Sequence, residues 1–167
     1  MESISILPLN PGQIDDLIDV ARRAWHAHYP GIISVEQIDY MLDRGYTKQV
    51  VLDEMEHQGI IWMKIIDSVD MIGFLSVGPY GEGVMKLHKL YLLPEYHGRG
   101  IGAKALQEVE RISVGQNAAR LVLNVNKHNV KSIHAYHRAG WCVAEEVCVD
   151  IGGGFVMDDY VMAKDLT

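Results

Sequence analysis

Two cysteines and five prolines are all that 167 residues contain, and no apolar run approaches the ~20 residues that a membrane-spanning helix needs. So few cysteines exclude a disulfide-stapled scaffold. Cys142 and Cys148 are expected on one strand, where their separation extends ~20 Å and keeps them from bridging. Sixteen glycines without a repeat exclude a collagen-like chain. Met1 to Asn10 has neither a basic start nor a long apolar stretch, so the expected setting is reducing and cytoplasmic, with no membrane contact. Cations are in deficit as well. Lys and Arg number 15 against 22 Asp and Glu, a net charge of -7, which argues against general nucleic-acid binding.

What is present is the composition of a folded protein, 49% apolar and 22% charged, with one domain expected over residues 1–167. Its charge is unevenly placed. From Lys86 to Gly140 nine basic residues stand against three acidic ones, which leaves six basic against 19 acidic elsewhere. Such a split suits a segment that holds an anion, and it equally suits plain solvated surface.

Apolar residues at Ile14, Leu17, Ile18, Ala21, Ala24 and Trp25 predict a helix, entered through Asn10, Pro11 and Gln13. Ser34 and Thr47 open two further helical stretches, the second running to His57. Gly59–Ile66, Met71–Val77 and Val84–Leu93 then read as an antiparallel meander, with a turn across Gly78–Gly83. Pro94 closes the third strand. A helix follows from Ile101 to near Gly115, and Arg120–Val125 completes a βαβ unit. Asn129 is placed to cap a short helix over Val130–Ala139, and Trp141–Ile151 and Tyr160–Ala163 form a final strand pair around Gly152, Gly153 and Gly154.

Gly98, Gly100 and Gly102 alternate at the mouth of the Ile101 helix. Without side chains there, backbone N–H groups and the helix dipole can receive a phosphate, or the glycines can simply serve a tight turn. The spacing is not the dinucleotide fingerprint G-x-G-x-x-G, and no Gly-Lys-Ser/Thr ending makes it a Walker A loop.

The whole segment Leu90-Tyr91-Leu92-Leu93-Pro94-Glu95-Tyr96-His97-Gly98-Arg99-Gly100-Ile101-Gly102 closely resembles the acyl-CoA site of the GNAT superfamily of N-acetyltransferases, whose pattern is Gln/Arg-x-x-Gly-x-Gly/Ala. His97 stands at its first position. Asn129, Ser132, Tyr136, Gly140 and Trp141 resemble that family's Asn-x-x-Ala/Ser-x-x-x-Tyr-x-x-x-Gly-Phe stretch, with Trp for Phe. The resemblance implies an α/β (α+β) fold: a mixed, mostly antiparallel sheet of six to seven strands, a central βαβ unit and about four helices, splayed between the fourth and fifth strands. It also implies acetyl-CoA as cosubstrate. The backbone of Leu90, Tyr91 and Leu92 would meet the pantetheine arm, while His97, Gly98, Arg99, Gly100, Ile101, Gly102 and Ala103 would surround the pyrophosphate. Asn129 and Ser132 would add cofactor contacts, and Tyr136 would stand beside the sulfur as general acid. Asn129 and Tyr136 are two helical turns apart and share one face. A phenol can stay protonated until the sulfur gains charge, although a helix tyrosine can also be mere packing.

The expected reaction is direct transfer of acetyl from acetyl-CoA to a primary amine in a ternary complex, the acceptor being a small amine, a polyamine or an amino-acid-like molecule. A non-catalytic acyl-CoA-binding module, or an enzyme acting on a protein N-terminus or lysine, are the alternatives, and a homodimer is left open. Glu82, His88 and Asp158 are candidate bases, with His88 expected to alternate with Lys86 and Leu90 on a strand facing the cleft. Trp25 and Tyr29 lie where the family places acceptor contacts, or else belong to the core. His134 and His137, at i and i+3, and the pair His26 and His28 have no third ligand at a recognisable spacing, so no metal is expected.

Overall fold

Seven strands in the order β1-β2-β3-β4-β5-β7-β6 form the sheet in the computed structural model, which describes residues 3–166. The strands are β1 (Ile4–Pro8), β2 (Ile61–Asp67), β3 (Asp70–Gly81), β4 (Val84–Leu92), β5 (Arg120–Asn126), β6 (Cys142–Gly152) and β7 (Phe155–Asp165). Among the described residues there are five α-helices: α1 (Ile14–His28), α2 (Val35–Gly45), α3 (Lys48–His57), α4 (Ile101–Gly115) and α5 (Val130–Arg138). No helix among them is long and apolar enough to cross a membrane.

Local chemistry explains the helix starts. Ser34 Oγ accepts from Gln37 N at 3.1 Å, and Thr47 Oγ1 accepts from Val50 N at 3.1 Å, so each hydroxyl occupies an amide that the helix leaves free. Gln13 Oε1 accepts from Asn10 N and from Lys64 Nζ, fixing the turn before α1 to β2. Asn129 departs from expectation. It stands at the N-cap of α5, but its side chain makes no cap bond, because its Oδ1 turns instead toward His28 of α1.

The sheet separates two apolar layers. Met63, Ile65, Leu75, Leu87, Leu121, Leu123 and Met162 pack with Ile101, Ala105 and Val109 of α4. On the other face Trp62 and Phe74 pack with Ile14, Leu17, Ala21 and Trp25 of α1 and with Ile38 and Leu42 of α2. Neighbouring strands are antiparallel except β4 and β5, which run parallel and pair only over Val84–Lys86 with Arg120–Val122. Both strands continue beyond that point, so the sheet is splayed there.

The same register overturns one expectation about β4. Ser76 pairs with Lys89 and Val77 with Leu87, so His88 is the extra residue of a bulge and does not alternate with Lys86 and Leu90. Cys142 and Cys148 share β6, and both are free and exposed.

Candidate active site

The splay leaves backbone groups of β4 without a sheet partner. Leu93 N donates to Ile72 O, which fixes the phase of the β3–β4 ladder. Alternate residues of a strand turn their backbone groups to opposite neighbours, so Tyr91 bonds toward β3 while Leu90 and Leu92 turn their N–H and C=O groups into the gap left by β5. One of these groups is engaged: His97 Nε2 lies 3.1 Å from Leu92 O, and since a carbonyl only accepts, the ring nitrogen donates.

A groove of about 1070 Å³ runs along this gap, bounded by Leu90 to Leu92, by Gly98 to Ala103 and by Asn129, Ser132 and Tyr136 of the α5 segment. Gly98 and Gly100 have φ of +75° and +78°, a conformation glycine adopts without strain. A Cβ built on Gly98, Gly100 or Gly102 would meet no atom within 4 Å, so the space over the start of α4 is open. An open mouth, free amides and a helix dipole fit a pyrophosphate, and the apolar groove with its spare strand edge fits a pantetheine arm. Ile101 is only 3% exposed and faces the core, so it can offer this site its amide alone. Arg99 and Lys104 lie beside the cradle, with the Arg99 guanidinium 5.0 Å from the centre of the Tyr96 ring.

Tyr136 lines the groove and packs on Trp141 with ring centres 5.9 Å apart. Burial, aided by Tyr29, pushes its phenol above the ordinary value near 10. Tyr29, at the end of α1, is pushed up to about 12 by burial, and its hydroxyl lies 2.9 Å from that of Tyr91. His28 Nε2 and Asn129 Oδ1 are 3.1 Å apart, so α1 and α5 meet across the groove; burial lowers the His28 pKa.

Other sequence candidates are placed elsewhere. Glu82 is exposed in the turn before β4, at the end where β4 and β5 are paired and away from the splay. Asp158 is 3.0 Å from Lys127, which also reaches Glu146 at 3.2 Å. His88 is brought down to about 4 by burial and by Lys86 and Lys89, so it is neutral at physiological pH. Trp25 is a core residue, 4% exposed, whose Nε1 donates to Tyr46 Oη. Among the described residues no three His, Cys, Asp or Glu side chains gather to hold a metal, and His137 Nδ1 is 3.0 Å from Trp141 O.

One residue at this site escaped the sequence reading in its role, His28 against Asn129, and so did the burial of Asp159 on β7. Only the strand alternation, which sets Asp159 out of phase with the core residue Met162, carried a signal for the second.

A family model for the acetyltransferase (GNAT) family matches residues 16–141. A spermidine N(1)-acetyltransferase of Thermoplasma acidophilum is 29% identical over 160 residues, covering 93% of this chain and 96% of that protein. The crystal structure of a PaiA N-acetyltransferase from the same organism, in complex with coenzyme A, superposes with a TM-score of 0.83 at 28% identity over 98% of this chain and 99% of that one. A GCN5-related N-acetyltransferase from Rhodopseudomonas palustris has the same fold, with a TM-score of 0.82 at 18% identity over 99% and 98% of the two chains. The chain therefore belongs to the acetyltransferase (GNAT) family of acyl-CoA-dependent N-acetyltransferases, which take their acetyl group from acetyl-CoA.

Proposed function

We propose that this enzyme acetylates a primary amine of a small cationic acceptor of the polyamine class, by direct transfer in a ternary complex. The observation that carries the reading is the meeting of groove and splay at Tyr136: the cradle, the free edge of β4 and a protonated phenol lie along one path. When bound, acetyl-CoA supplies an activated acyl group and a sulfur that must leave. Leu90 and the amides from Gly98 to Ala103 hold and orient it, with Asn129 and Ser132 alongside. Tyr136, protonated at neutral pH as an ordinary phenol is, gives its proton to the departing sulfur.

Two observations support a polyamine as acceptor. The spermidine N(1)-acetyltransferase similar to this chain matches it almost end to end. Acidic residues also stand close to where α2 meets the β6–β7 hairpin, with Glu36 beside Gln37 on the helix and Asp150 on β6. That junction is held by Tyr40 Oη donating to Ile151 O at 2.7 Å and Gln37 Nε2 donating to Val156 O at 3.0 Å.

The test is a panel of polyamines, amino acids, aromatic amines and aminoglycosides with detection of released CoA, run at two salt concentrations. Polyamines are expected to give the highest kcat/KM, falling as salt shortens the Debye length from about 10 Å at 0.1 M to about 3 Å at 1 M. Preference for a neutral or anionic acceptor would overturn the polyamine assignment, and no CoA release with any amine would overturn the reading of a small acceptor.

A further inference from the structure

Asp159 is 3% exposed, and its Oδ1 has no hydrogen-bond partner among the described residues. A buried carboxylate oxygen without a donor is costly to keep, and it marks a place where a donor is to arrive. Its setting follows from the alternation of β7. Tyr160 and Met162 pack toward α4, so Asp159 faces the α1 side of the sheet. Exposed Asn124 of β5 and half-exposed Lys86 of β4, the last β4 residue paired before the splay, border it on that face. Tyr29, just past the end of α1, has its phenol raised by burial and further by the charge of Asp159, which places the two near each other. The carboxylate thus faces the same side of the sheet as Tyr29, whose hydroxyl is 2.9 Å from that of the groove residue Tyr91.

We propose that Asp159 is a catalytic residue that receives the acceptor's ammonium group on Oδ1 and takes one proton from it. This rests on the acetyl-transfer reading and adds the base it lacks. The ammonium loses a proton to the carboxylate, which becomes a carboxylic acid. The freed nitrogen pair forms the C–N bond to the acetyl carbonyl carbon, and the C–S bond breaks with its electron pair on sulfur. Tyr136 protonates that sulfur, the remaining surplus N–H proton restores the phenol, and the proton on Asp159 passes to water. The net products are the amide, free thiol and one proton.

The surroundings suit this task. Burial and Asp158 raise the Asp159 pKa, whereas Asn124, Lys86 and Lys127 hold it down, the last already shared between Asp158 and Glu146. A carboxyl raised above its usual value is the better base. It is ionised above that raised value and is lost to the reaction as pH falls through it.

The experiment compares Asp159→Asn with wild type, using spermidine as the probe amine. At pH 7 its kcat/KM should fall at least 100-fold while calorimetric affinity for acetyl-CoA stays within twofold. Because the amide replaces a desolvated carboxylate, Tm should hold or rise. The deficit should shrink from pH 7 to pH 10, where spermidine's own amines lose protons without help, and Asp159→Glu should recover part of the activity. Wild-type kcat/KM in a folded Asp159→Asn protein, or a deficit constant across pH, overturns the assignment. If the Asn variant does not fold, Lys86→Met supplies the test: removing that cation should move the acid limb of the pH–rate profile to higher pH, and an unmoved limb overturns the proposal. A wild-type protein that binds acetyl-CoA yet turns over no amine fails the wider reading first, which the amine panel shows independently.

Discussion

Burial is what distinguishes Tyr136 from a surface tyrosine. A phenol in this setting holds its proton to a pH above 10, so it stays protonated throughout the neutral range and can donate to the sulfur as negative charge develops there. Tyr136→Phe keeps the ring against Trp141. Its kcat should drop roughly 100-fold with acetyl-CoA affinity unchanged, measured by steady-state kinetics and calorimetry. A wild-type kcat would assign Tyr136 to packing. Tyr136 and Asn129 were legible because their spacing is local and helical. His28 was not, since its partner lies 101 residues away and nothing in the α1 sequence names it. Asp159 was visible only as one acid of many, its burial being a property of three strands brought together.

Elements were legible where local rules govern them, as at Ser34 and Thr47, and misjudged where a partner strand decides. Gly78 and Pro79 read as a turn, yet β3 runs on to Gly81, because these residues pair with Lys86 and Met85 next to an irregularity that excuses the missing proline donor. β7 is longer than the expected Tyr160–Ala163 because it stays paired with β6 back to Phe155 and with β5 on to Asp165. The bulge at His88 depends on the register against β3 and has no local signature. One glycine in this region is tied to the strand beneath the groove. A Cβ on Gly73 of β3 would lie 2.5 Å from the backbone oxygen of Tyr91 and 2.7 Å from Leu92 Cδ2, and the oxygen cannot yield without moving β4. Gly73→Ala should therefore cost about 1–3 kcal/mol, a fall of roughly 3–10 °C in Tm for a chain of this size, and should weaken acetyl-CoA binding as Leu90 shifts. Differential scanning calorimetry and titration calorimetry read the two effects.

Across the whole molecule, the basic surplus between Lys86 and Gly140 is not spent in one place. Lys86 lies over the Tyr80 ring and Lys89 over that of Tyr46, Arg111 pairs with Glu108, Arg120 with Asp165 and Lys127 with Glu146 and Asp158, and Arg99, Lys104, Lys131 and Arg138 border the cradle or groove. The net charge of a segment thus said less about the anion site than the three glycines did. The splay has a different consequence. Along the outer half of β4 the sheet is one strand short, and an amide-bearing pantetheine chain can stand in for the absent strand. The protein without its cosubstrate then resembles a zip left half open between its N-terminal and C-terminal parts. Closing it should slow hydrogen exchange at Leu90 and stabilise the whole chain by about 2.7 kcal/mol at a ligand concentration of 100 Kd, so that occupancy of the site is written into the cohesion of the two halves.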